Sequence, residues 1–234
     1  MKRIILLVGH FGSGKTEVSV NVALDYNRNM PEGYERVAVL DLDIANPYFR
    51  SREKQEFLEE KGIEVHFNTF GYDISEDLPA ISAGLRGPLE KEGYIAVVDV
   101  GGNDSGARVL NQFMKYFSDE DTDIFCVLNA NRPETETVDG MLEHMRSIEL
   151  ETGLRTTGII NNTHMLRETT VSNMLGGYEV CREASRQSGV PIVFNTCRRD
   201  LLPELEETLH ERGLADEYRI YPIDLYMRPT WLDR

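Results

Sequence analysis

Ile4-Ile5-Leu6-Leu7-Val8-Gly9-His10-Phe11-Gly12-Ser13-Gly14-Lys15-Thr16-Glu17 is the stretch whose reading decides the fold. Its first five residues are a continuous apolar run, which reads as a buried strand. Gly9 to Thr16 then fit G-x-x-x-x-G-K-[ST], the phosphate-binding loop. Val20, Ala23 and Leu24 follow at helical spacing, so strand, glycine loop and helix come in the order that the motif needs. Gly9, Gly12 and Gly14 allow the chain unusual backbone angles and close approach to a phosphate. Successive N–H groups of His10, Phe11, Ser13 and their neighbours form an anion nest at a helix N-terminus, with Glu17 in the helix's first turn. Lys15 reaches the outer phosphate oxygens, and the Thr16 hydroxyl ligates Mg²⁺.

The rest of the chain narrows the setting. Its 234 residues suit one large α/β domain or two small ones, and 41% apolar content supplies a core. A net charge of −15 argues against a general nucleic-acid or anionic-membrane surface. Cys126, Cys181 and Cys197 form no C-x-x-C pair, so neither a zinc ribbon nor an iron–sulfur scaffold is visible. The N-terminus runs straight into a strand, unlike a cleavable signal peptide, and no apolar run approaches membrane-spanning length. A cytoplasmic location is expected.

Apolar runs alternate with helical patterns. Strands are predicted at 3–8, 36–41, 63–67, 94–99, 123–129, 156–161 and 190–194, and helices at 15–29, 50–61, 79–91, 105–117, 134–151, 177–188 and 201–212. Such alternation predicts a doubly wound α/β fold, a mostly parallel sheet with helices on both faces. The expected organisation is a single domain over 1–234, whose tail from about residue 216 wraps its own body.

Two strand ends carry acids where ligands gather in such sheets. Arg36 to Leu40 runs into Asp41-Leu42-Asp43, and Tyr94 to Val98 runs into Asp99-Val100-Gly101-Gly102. Asp99 matches a Walker B carboxylate that holds Mg²⁺, and the Gly102 N–H is placed to sense a terminal phosphate. Asp41 and Asp43 can serve Mg²⁺ or an attacking water.

These motifs together resemble the MinD/ParA/CobQ group of P-loop ATPases. Asp41-Leu42-Asp43-Ile44 is similar to that group's D-x-D switch I, Asn129-Ala130-Asn131-Arg132-Pro133-Glu134 to its N-P-E segment, and Gly158-Ile159-Ile160-Asn161-Asn162 to its adenine-contact strand. The resemblance implies an ATP- and Mg²⁺-dependent switch, with Asp41 near Mg²⁺, Asp43 positioning water and Asn162 at adenine. It also implies a nucleotide-dependent homodimer acting on an unknown protein partner. Guanine-type N-K-x-D is absent, since the stretch reads Asn161-Asn162-Thr163-His164. The group's lysine after the first glycine is replaced by His10, and Arg50 or Arg52 is a candidate substitute cation. A basic amphipathic C-terminal helix for membrane targeting is missing. An ATP-dependent small-molecule kinase or ligase like the CobQ and dethiobiotin synthetase relatives, and a non-hydrolysing nucleotide-gated adaptor, are the alternative functions.

Overall fold

The structure is a computed structural model that describes residues 2–43, 51–67, 83–102, 110 and 112–227. Arg50, the stretch 68–80, the Asn103 to Gly106 loop and Trp231, all singled out in the sequence, lie outside the described residues, as does the Arg52 side chain.

Among the described residues, eight strands alternate with the helices. In chain order they are β1 (Ile4–Val8), α1 (Lys15–Arg28), β2 (Arg36–Leu42), α2 (Gln55–Glu60), β3 (Glu64–Phe67), α3 (Ala83–Glu90), β4 (Tyr94–Val100), β5 (Thr122–Leu128), α4 (Val138–Thr152), β6 (Gly158–Asn161), α5 (Val171–Ser188), β7 (Ile192–Arg198), α6 (Leu202–Glu211) and β8 (Ile220–Ile223). The strand order is β3-β2-β4-β1-β5-β6-β7-β8. The β2–β3, β2–β4, β5–β6, β6–β7 and β7–β8 pairs are parallel. This is the α/β fold that the alternating pattern predicts.

The chain packs as two compact units, one of Met1–Leu6, Thr16–Asp123 and Tyr226–Arg234, the other of Leu7–Lys15 and Ile124–Leu225. In the first unit β2 lies between β3 and β4, and β4 is buried along its whole length. A strand covered on both faces has to be apolar throughout, which is why Ile95 to Val98 show no alternation. In the second unit Val171, Met174, Leu175 and Tyr178 of α5 pack with Leu205 and Leu209 of α6, Cys197 of β7 and Tyr218.

Where a helix is expected over 105–117, the described residues 112–117 form a short 3-10 turn at Met114–Tyr116, and β7 runs on to Arg198, past the expected end at 194. Three further elements differ from the sequence reading, each for a local reason. Helix α5 starts at Val171, six residues before the expected position, with a capping box between Thr170 and Asn173. Gly177, where the sequence reading begins this helix, serves close packing: a Cβ there would stand 2.0 Å from Thr163 Oγ1. Helix α4 starts later, at Val138, because Thr137 is the N-cap and its side chain accepts the Gly140 N–H. Finally, β8 falls within the segment read as an extended tail. It is four residues long, lies at the sheet edge and contains Pro222, a residue that strands tolerate at edges.

Candidate functional site

The glycine loop up to Lys15 belongs to the second unit and is built there. Gly9, Gly12 and Gly14 have φ of +146°, +76° and +86°, the region that side chains rarely enter. Gly9 also lies so close to β5 that a Cβ would stand 2.4 Å from the Val127 carbonyl oxygen. Ser13 N–H donates to His10 O at 3.1 Å, closing the loop on itself. The buried Lys15 ammonium donates to Gly9 O at 2.8 Å and to His10 O at 3.1 Å, so its charge is turned back into the loop. Phe11, at 63% exposure, stands out from it.

A buried amide network supports the loop from behind. Asn162 Nδ2 donates to Ser13 O at 2.7 Å, and Thr196 Oγ1 donates to Asn162 Oδ1 at 2.5 Å. Asn161 Nδ2 donates to Asn195 Oδ1 at 3.0 Å, and Thr163 Oγ1 donates to Asn161 Oδ1 at 2.7 Å. Asn162 is thus a direct support of the loop, a role that the sequence did not suggest. The tie of Thr163 and Thr196 into this network was not legible, because hydroxyls at strand ends carry no motif of their own.

Two histidines flank the loop. His10 Nδ1 lies 3.7 Å from a Glu134 carboxylate oxygen, and the His10 and His144 rings meet edge to face at 5.5 Å. His144 Nε2 is buried with no hydrogen-bond partner among the described residues. Burial first, then the neighbouring His10 and Lys15, push the His144 pKa down to about 4 against the pull of Glu134. An unfolded chain protonates His144 near pH 6.5, whereas the folded one waits until about 4. Stability from the neutral ring is therefore complete above pH 6.5 and lost as pH falls to 4. For a partly buried group this amounts to about 1–3 kcal/mol. Urea midpoints at pH 7.5 and 4.5 should fall less for His144→Gln than for the unsubstituted protein. An equal fall in both would remove His144 from the acid sensitivity.

The acids and the start of α1 belong to the first unit. Asp41 and Asp99 stand opposite each other in the β2–β4 register, and both are buried. Asp43, also buried, donates its backbone N–H to Asp41 Oδ1 at 3.0 Å. Two buried carboxylates abreast at strand ends offer hard oxygen donors of the kind that Mg²⁺ takes, and a cation there would offset their charge. Gly102 is half-buried just beyond β4. Glu17 serves a different purpose from the loop: its carboxylate accepts Tyr226 N–H at 2.5 Å and Met227 N–H at 3.2 Å. Thr16 follows Lys15 directly in the first turn of α1.

No protein-family model and no curated protein matches the sequence. Solved structures do match. Signal recognition particle receptor FtsY from Elizabethkingia anophelis, in complex with GDP, is 14% identical with a TM-score of 0.53, over 84% of this chain and 57% of that one. Chloroplast FtsY from Physcomitrella patens is 16% identical with a TM-score of 0.53, over 83% of this chain and 58% of that one. FlhF complexed with GMPPNP/Mg²⁺ is 15% identical with a TM-score of 0.51, over 83% of this chain and 66% of that one. The chain thus spans less than two thirds of the length of these neighbours. At such identities the likeness is one of fold: the three-layer α/β/α fold of P-loop nucleoside triphosphatases.

These neighbours overturn the resemblance to the MinD/ParA/CobQ group. Behind it stand a glycine loop and acids at strand ends, which any P-loop fold can carry, and two short strand-end segments, Asn129 to Glu134 and Gly158 to Asn162. The lysine that would have been specific to the group is His10 here.

Proposed function

We propose that this chain is a Mg²⁺-dependent ATP-binding switch that hydrolyses ATP slowly and acts on a protein partner. The observation that carries the reading is the loop itself: three glycines at positive φ following a buried strand, with a buried lysine ammonium folded into the turn. The second unit positions that loop through Asn162. In this reading the loop amides and Lys15 bind the phosphates. Thr16, Asp41 and Asp99 hold Mg²⁺, Asp43 orients the attacking water and Gly102 senses the terminal phosphate. Bound Mg²⁺ supplies charge neutralisation at the phosphates.

Adenine is favoured because the stretch after β6, Asn162-Thr163-His164, lacks the carboxylate of a guanine-reading N-K-x-D. A guanine nucleotide is the second reading, favoured by neighbours bound to GDP and to GMPPNP/Mg²⁺. Titration calorimetry with Mg·ATP and Mg·GTP decides between them, with ATP expected to bind at least about tenfold tighter, one good base contact being worth more than 1.4 kcal/mol. Single-turnover phosphate release tests the chemistry. Asp43→Ala is expected to slow it at least about 100-fold, in the range of a lost water-positioning group. Equal rates in the two proteins would leave a nucleotide-gated adaptor in place of an ATPase. Light scattering with ADP and with ATP reads whether the triphosphate state is a homodimer.

A further inference from the structure

Arg132 lies on the phosphate loop, 120 residues from it in sequence, and nothing in the motif reading gave it a task. Its Nε–H donates to Gly12 O at 3.1 Å. A Cβ on Gly12 would stand 2.9 Å from Arg132 Cζ and 3.0 Å from both Nε and Nη2, so the guanidinium rests flat against the glycine. Gly12 is thus needed twice, for its φ of +76° and for the space that the arginine fills.

The turn that presents Arg132 is unusually well fixed. Asn129, buried at the end of β5, accepts Asn131 N–H on its side-chain oxygen at 3.0 Å. Its carbonyl accepts Arg132 N–H at 3.1 Å and the buried Thr135 hydroxyl at 2.7 Å. Thr135 N–H returns to Arg132 O at 2.9 Å, and Ala130 N–H donates to Thr163 Oγ1 at 3.1 Å. A surface arginine that only covered the loop would gain little from such support. One that has to meet an anion gains from being held in place beforehand.

A guanidinium has five N–H donors in a planar fork. Arg132 gives one to Gly12 O, and among the described residues no acceptor holds its Nη groups. The guanidinium is therefore held against Gly12 of the loop with donors to spare.

We propose that Arg132 is a phosphate-contacting arginine of this loop, supplied by the chain itself, which recognises the terminal phosphate of the bound nucleoside triphosphate. This rests on the nucleotide-binding reading above. Lys15 brings one positive charge to the loop, and a triphosphate with Mg²⁺ still carries about two negative ones, more than the diphosphate does. A second cation therefore favours the triphosphate, as arginine fingers do in related chemistry.

The test uses the full chain with Arg132→Ala, Arg132→Gln and Arg132→Lys, and calorimetry with Mg·ATP, Mg·ADP, Mg·GTP and Mg·GDP. Loss of one charge-assisted contact should weaken the preferred triphosphate about 10- to 100-fold in the Ala and Gln variants. The matching diphosphate should change less than about threefold, Arg132→Lys should regain part of the loss, and the melting temperature without nucleotide should stay within about 2 °C. Equal weakening of tri- and diphosphate, or unchanged affinity for both, would overturn the proposal and leave Arg132 a loop staple. If the unsubstituted protein binds none of the four nucleotides, the nucleotide-binding reading fails, and the Arg132 assignment with it.

Discussion

Gly14→Ala is expected to abolish nucleotide binding and to lower stability by about 2–4 kcal/mol, from backbone strain plus a broken buried hydrogen bond. Gly14 has φ of +86°, so any side chain there is strained before it meets a neighbour. The neighbour is Asn162, whose Nδ2 would lie 2.3 Å from the new Cβ. It cannot move aside cheaply, because that nitrogen holds Ser13 O and its Oδ1 takes the Thr196 hydroxyl. Displacing it unpairs buried polar atoms just after β6, on β7 and in the loop at once. A urea titration and a nucleotide titration on the same variant read the two effects. Full binding in a protein with a normal urea midpoint would mean that the loop tolerates rearrangement at its core.

Lys15→Ala is expected to cost at least about 100-fold in triphosphate affinity, the worth of one to two charge-assisted hydrogen bonds to phosphate. In the structure the ammonium rests on the carbonyls of Gly9 and His10. Both are neutral acceptors, so a phosphate that takes their place gains charge attraction and offsets the exchange. Lys15→Arg should fail nearly as badly, because the pocket closed by the Gly9 and His10 carbonyls fits a compact ammonium and not a planar fork. Calorimetry with the preferred nucleotide checks both variants. Retained affinity in Lys15→Ala would remove the lysine from the phosphate site.

Much of the fold was legible because the deciding signals are local. Ile4 to Val8 and Tyr94 to Val98 are apolar without alternation, which burial on two faces demands, and each is a strand in place. Signals that depend on a distant partner were not legible. The close fit of Gly177 against Thr163 is one of these. The place of Arg132 on Gly12 is another. Asn162 reads in the sequence as an adenine contact, whereas its bonds to Ser13 and Thr196 follow from strand register, which no single segment encodes. The family resemblance failed for the converse reason. Asp41, Asp43 and Asp99 occupy strand ends that the whole fold uses, so they report architecture more strongly than ancestry.

The carboxylate of Glu17 has a consequence for the order in which the molecule is made. It sits one turn into the first helix, yet the N–H groups that it binds belong to Tyr226 and Met227, 209 and 210 positions later. A ribosome adding about 5–20 residues per second releases Glu17 at least ten seconds before those partners exist. For that interval the first turn of the loop helix carries an acid without its final neighbours. An early-made helix turn is thus completed by groups that follow it by 209 and 210 positions.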